Sequence, residues 1–211
     1  MASKTFSYDD FTKFISVSRE TFSRLETYVE LLKKWQTSIN LIGTATINEI
    51  WIRHIIDSAQ LINNMESAEV IADVGSGAGF PGLIMAILGI KDITLIESDG
   101  RKVAFLKEAA RVTQADVSII NNRVEHADLE EFSLIVTRGF APLAAMFSIF
   151  GSKLKDSHKL LLLKGKNYKT EIQEARKAWS FEYTVIPSVT DKESAILSIQ
   201  NFKKGGRNDS E

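Results

Sequence analysis

From residue 7 to residue 64 apolar positions recur at helical spacing, as in Phe22, Leu25, Val29 and Leu32 and again in Ile47, Ile50, Trp51 and Ile55. Residues three and four apart share one face of a helix. The stretch holds no proline and a single glycine, Gly43, so it reads as three helices. Ser7 stands three residues before Asp10, the spacing of a capping box, and Asn40 to Thr44 separates the second helix from the third. After Met65 the period changes. Short apolar runs at 70–74, 93–96, 117–120, 133–137 and 159–163 alternate with helix-like segments, and such alternation builds a parallel sheet covered by helices on both faces. Two last runs, about 181–187 and 194–202, are separated only by Ser188 to Glu193 and predict an antiparallel hairpin. The expected organisation is a helical extension over 1–66, an α/β domain over 67–202 and a disordered tail over 203–211, which carries Gly205 and Gly206.

Composition narrows the chemistry. Cysteine is absent, which excludes disulfide scaffolds, thiolate metal sites and cysteine nucleophiles. No apolar run approaches the roughly 20 residues of a membrane span, and acids stand early in the N-terminus where a signal peptide would be apolar. A cytoplasmic monomer without a membrane partner is expected. The formal net charge is −1, yet residues 67–150 hold 7 basic and 11 acidic residues, against 12 and 8 over 151–211. A polyanion would therefore have to find a local basic patch.

The strand at 70–74 runs into Asp73-Val74-Gly75-Ser76-Gly77-Ala78-Gly79-Phe80-Pro81-Gly82, with a helix to follow and Pro81 suited to its first position. Glycines let the backbone turn sharply and approach a ligand, and a helix start favours negative charge. Gly77, Gly79 and Gly82 satisfy the dinucleotide spacing, with Glu97 twenty residues beyond Gly77 as a ribose acid. A nicotinamide-binding fold usually keeps the position of Asp73 apolar, however, and would more often end on another crossover than on a hairpin. An acid there suits S-adenosylmethionine: Asp73 would orient the loop and face the positive methionine end, and Glu97 would accept the ribose hydroxyls. The expectation is a class I S-adenosylmethionine-dependent methyltransferase, a Rossmann-like sheet of about seven strands.

Trp35 with Asn40-Leu41, Arg53-His54-Ile55-Ile56-Asp57-Ser58, the 73–82 loop, Glu97-Ser98 with Lys102 and Phe105-Leu106, Arg123-Val124-Glu125, Thr137-Arg138 and Lys164-Gly165 together carry a family resemblance. The chain resembles the glucose-inhibited division protein B family, the ribosomal RNA small-subunit guanine-N7 methyltransferases. The resemblance implies cofactor contacts at Gly75, Phe80, Val124, Glu125 and Arg138 beside the loop residues Asp73, Gly77 and Gly79 and the acid Glu97. It also implies small-subunit ribosomal RNA, or the assembling subunit, as partner.

Arg123, Lys164 and Lys166 are candidates for substrate contact, and Arg138 for the catalytic position. Lys164 could be a solvated loop lysine, but its place at the carboxyl end of a parallel sheet, where ligands bind, favours the functional reading. His54 and Asp57, three apart, read as a helix-surface contact rather than a catalytic dyad, and His126 and His158 read as incidental, with no metal expected. Gln60 falls at a variable place in the family pattern. Arg101-Lys102 opens a helix against its dipole. The place after the fourth strand reads Thr137-Arg138-Gly139-Phe140, without the Asp/Asn-Pro-Pro-aromatic motif of exocyclic-amine methyltransferases, as suits a ring-nitrogen acceptor that needs no general base. Arg138 could there bind guanine O6, a phosphate or the cofactor pocket. The competing readings are a same-fold methyltransferase for another substrate, a NAD-dependent oxidoreductase and a non-catalytic ribosome-assembly factor.

Overall fold

The computed structural model describes residues 6–66 and 69–205. The chain opens with α1 (Tyr8–Thr12), whose capping box between Ser7 and Asp10 is formed in both directions. In α2 (Arg19–Gln36) the Ser18 side chain accepts the Thr21 N–H, Glu20 lies in the first turn and Lys33 and Lys34 in the last, so both ends complement the helix dipole. Phe22, Leu25, Val29 and Leu32 are buried along the expected stripe, joined by Tyr28. The third helix is not uniform. It runs as a 3-10 segment Thr44–Glu49, a π segment Trp51–Ile56, the α turn α3 (Asp57–Ala59) and a 3-10 segment Gln60–Asn64. Periodicity finds the helical segment but not its changing pitch, and π turns gather at functional sites.

The remaining elements are β1 (Ile71–Val74), α4 (Gly82–Ile87), β2 (Ile93–Glu97), α5 (Gly100–Thr113), β3 (Val117–Asn121), β4 (Leu134–Arg138), α6 (Leu143–Phe150), β5 (Lys159–Lys164), α7 (Tyr168–Arg176), β6 (Trp179–Pro187) and β7 (Ala195–Lys204). The sheet order is β3-β2-β1-β4-β5-β7-β6. The first five strands are parallel, and β7 lies antiparallel between β5 and β6. The strand order reverses between β1 and β4, which opens a crevice at the carboxyl ends of the strands. The last strand reaches Lys204, so the tail expected from residue 203 gives up its first two residues to the hairpin; residues 206–211 lie outside the described residues. Pro81 occupies the cap of α4, one position earlier than expected.

Alternate strand residues feed two cores, as the two-residue period requires. Ile71, Leu95, Val136 and Leu161 pack with residues of α2, α4 and α5. Ala72, Ile96, Ile135 and Leu162 pack with Phe147 of α6 and Ile172 of α7. The N-terminal helices thus share a continuous core with the sheet rather than sitting beside it.

Candidate active site

A cavity of about 820 Å³ opens at the strand-order reversal, within the size range of ligand sites. One half is built by β1, β2 and β3. Gly75, Gly77 and Gly79 all take positive φ, a region that costs L side chains energy. A Cβ on Gly75 would also come within 2.5 Å of the Phe140 ring. The loop is pinned from several sides. Gly75 and Ser76 donate to the Ile96 carbonyl (2.9 and 3.2 Å), and the fully buried Tyr28 hydroxyl donates to the Ala78 carbonyl at 2.6 Å. Glu97 accepts the Gly77 N–H on Oε2 (2.9 Å) and the Asp99 N–H on Oε1 (2.8 Å). Each oxygen keeps a lone pair for a hydroxyl from the cavity that Glu97 lines.

Asp73 lies beneath the loop with no exposure, and its Oδ2 accepts the first N–H of α4, from Gly82, at 2.9 Å. Among the described residues Oδ1 has no hydrogen-bond partner. Burial pushes this carboxyl up to about 7, against the hydrogen bonds that pull it down. A buried acid one layer under a glycine cradle, and a carboxylate at the end of the next strand, fit a cofactor that carries positive charge and a ribose.

The other half belongs to β4, β5 and the β6–β7 connection, and its centre is Arg138 at the end of β4. Its Nε donates to Asp57 Oδ2 at 2.9 Å, its Nη2 to the Arg53 carbonyl at 2.7 Å, and its Nη1 lies 2.7 Å from His54 Nδ1. A guanidinium only donates, so Nδ1 accepts and the imidazole proton sits on Nε2, facing Thr46 Oγ1 at 2.8 Å. Burial, with the nearby guanidinium of Arg138, drives His54 down to about 3. The same burial lowers Arg138, while Asp57 pulls it back up. Phe80 lies under both: its ring is 4.9 Å from that of His54, with the Arg138 guanidinium 5.6 Å from its centre.

The cavity is lined by Gly75, Gly77, Phe80, Glu97, Val124, Glu125, Arg138, Arg123 and Lys164 from among the expected residues. Three others stand apart from it. Asp73 orients the loop from below but does not face the cavity, because its carboxyl is turned onto the α4 start. Gly79 is a packing position, where a Cβ would meet Leu83 at 2.7 Å. Lys166 is exposed outside the lining.

Lys164 lines the cavity yet is no free cation: its side chain is 8% exposed, pairs with Glu171 at 2.8 Å and donates to the Ala141 carbonyl at 2.7 Å. The expectation that it awaits substrate is corrected by that pairing, which Glu171, one turn into α7, makes available. His54 and Asp57 are no mere surface contact, since both hold Arg138 from 84 and 81 residues away. His158 is a satisfied core histidine, with Nε2 2.9 Å from the Leu129 carbonyl. Asp99 caps α5 and pairs with Arg101, which accounts for a cation at that helix start, and Lys102 lines the cavity. Sequence reasoning missed Tyr28, Thr190 and Asp191, whose roles depend on contacts between distant segments. Among the described residues no helix is long and apolar enough to cross a membrane, and no cluster of three or more metal-ligating side chains occurs.

The sheet order with its inserted antiparallel β7, and the glycine cradle followed by Glu97, define a class I S-adenosylmethionine-dependent methyltransferase fold. Solved structures of that class share it at low identity. Magnesium protoporphyrin IX methyltransferase from Synechocystis, with bound S-adenosylmethionine, superposes with a TM-score of 0.55 at 13% identity, over 88% of this chain and 98% of its own. Ribosomal protein L11 methylase from Lactobacillus delbrueckii gives 0.55 at 16%, over 73% and 79%. The family described as rRNA small subunit methyltransferase G matches residues 21–199. "Ribosomal RNA small subunit methyltransferase G" of Rickettsia felis is 41% identical over 90% of this chain and 98% of its own length, and that of Paramagnetospirillum magneticum is 40% identical over 90% and 93%. The chain belongs to the rRNA small subunit methyltransferase G family.

Proposed function

We propose that the protein transfers the methyl group of S-adenosylmethionine to N7 of a guanine in small-subunit ribosomal RNA. The observation that carries the choice of acceptor is the state of the polar side chains around Arg138. His54 has given its lone pair to the guanidinium, Asp57 accepts from three side chains, Lys164 is ion-paired and Asp191 is paired with Arg53. Each is engaged by other groups of the protein, and none of them stands free to act as a general base. Guanine N7 presents a lone pair and no proton, so a site with this character suits it. Family membership supports ribosomal RNA as the polymer.

The cofactor supplies an electrophilic methyl on a sulfonium. Glu97 and the Gly77 region hold its ribose side, while the neighbourhood of Arg138 and Phe140 receives the base. The work left to the protein is alignment. Three of the five N–H donors of Arg138 are committed to Asp57, His54 and Arg53. Two remain for a base oxygen or a phosphate. Arg123, with its side chain 72% exposed, and Lys166 are the cations proposed to meet the RNA backbone.

A pH profile tests this reading. The single-turnover rate at saturating cofactor and RNA should show no rising limb between about pH 6 and 8. A limb titrating in that range that persists in Asp73→Asn, which removes the loop carboxyl that burial raises to about 7, would require a general base and overturn the ring-nitrogen assignment.

A further inference from the structure

The connection between β6 and β7, residues 188–194, carries the outer wall of the Arg138 half of the cavity, through Ser188, Thr190 and Asp191. It springs from an edge strand and is tied internally by few main-chain bonds, from Ser188 N–H to the Ser194 carbonyl (3.2 Å) and from Ser194 N–H to the Asp191 carbonyl (3.1 Å). Three side chains fix it against the body of the protein: Asp57 through Thr190, Arg53 through Asp191, and Gln60, which alone among them takes hold of its main chain as well. The Gln60 side chain is 6% exposed, and its Oε1 accepts the Val189 N–H at 2.9 Å. A main-chain N–H can only donate, so the amide orientation is determined: Nε2 faces Asp57 Oδ1 at 2.9 Å and Ser188 Oγ at 3.2 Å. Val189 itself points outward, 60% exposed, while its N–H is held inside.

The clamp converges on the carboxylate that orients Arg138. Asp57 accepts Arg138 on Oδ2, and on Oδ1 it accepts both Gln60 and the Thr190 hydroxyl, the latter at 2.7 Å. Arg53, whose carbonyl holds Arg138, reaches the same connection through its 2.9 Å pair with Asp191. One amide therefore joins the turn that walls the acceptor half to the side chains that aim its guanidinium. The glycine loop and Glu97 lie on the other side of the cavity and share no hydrogen bond with Gln60.

We propose that Gln60 is a positioning residue for the acceptor, acting through the 188–191 turn and Asp57 on the placement of the base against Arg138. This rests on the functional reading above. Nothing in the spacing of the sequence marks Gln60, because its partners on the turn, Ser188 and Val189, are 128 and 129 residues away.

The test compares wild type, Gln60→Leu, Thr190→Val and the double variant. Three quantities are read: cofactor affinity by calorimetry, single-turnover methylation across a range of RNA concentrations, and the melting temperature. Each single variant should lose about tenfold in kcat/KM for RNA, the scale of losing a buried hydrogen bond. Cofactor affinity should stay within about twofold, and the double variant should fall little below the worse single, because both act through one turn. Thr190→Val keeps the test open should Gln60→Leu fail to fold. Unchanged RNA kinetics, cofactor affinity falling in step with the rate, or losses that multiply as for independent sites would each overturn the proposal. Wild-type protein that methylates no RNA would instead overturn the functional reading, and this inference with it.

Discussion

His54 provides a test of the Arg138 arrangement that does not depend on substrate. Its ordinary value near 6.5 is carried by the unfolded chain, while burial beside the guanidinium brings the folded value to about 3. Between those values the unfolded state binds more protons, so this residue's contribution to stability is complete above the unfolded value and is lost as pH falls. Linkage with those two values puts the loss at about 2 kcal/mol on going from about pH 7.5 to about pH 5. Asp73 has the opposite sign over an overlapping window: its raised value favours the protonated fold, so its contribution shrinks as pH rises from about 4 towards 7. The wild-type profile alone is therefore uninformative, and a difference is needed. Urea unfolding of wild type and His54→Asn at the two pH values supplies it, because asparagine can still accept from Arg138 through its amide oxygen. The acid-side loss should be smaller in His54→Asn by about 2 kcal/mol. Arg138→Ala should also reduce it, since the cation that helps depress the imidazole is gone and Asp57 is left beside it. Equal acid-side losses in all three proteins, or a wild-type imidazole that titrates near 6.5 by NMR, would refute the buried, neutral histidine.

Glu97→Ala removes the proposed acceptor for the cofactor ribose together with the acceptor for two loop N–H groups; calorimetry should show S-adenosylmethionine binding about tenfold to a hundredfold weaker and no NAD binding to wild type. The two lysines should separate. Lys164→Ala leaves Glu171 with the Leu143 N–H and partial exposure to water, and should cost about 1–3 kcal/mol in chemical denaturation, whereas Lys166→Ala should leave stability alone and flatten the salt dependence of RNA binding by about one phosphate contact. Gly82→Ala, whose Cβ would meet Asp73 and Leu95 at 2.7 Å, should destabilise by about 1–3 kcal/mol in the same assay.

Local chemistry was readable where the signal is local. The capping box at Ser7, the stripe along α2, the three alternating glycines and Glu97 all depend on neighbours within a few turns of chain or on one βα unit. The short Ser188 to Glu193 connection likewise announced the antiparallel hairpin. What could not be read were pairings made by the fold across long separations. His54 and Asp57 share a helix face, but only the crossing of β4 brings Arg138 onto them. Lys164 looked free because an ion pair with Glu171 requires knowing that α7 folds back over β5. Asp73 was rightly placed at the loop, yet its side-chain direction follows from the packing of Gly82 against it. Gln60 carried no signal, since apart from Asp57 its partners lie on the β6–β7 turn.

The proposed reaction delivers a methyl group to one ring nitrogen of small-subunit ribosomal RNA. Incubating the protein with methyl-labelled S-adenosylmethionine and small ribosomal subunits that lack the modification, then mapping the labelled base and atom, tests it most directly. Label on N7 of a single guanine is the predicted result; label on an exocyclic amine, a ribose oxygen or a ring carbon would contradict it.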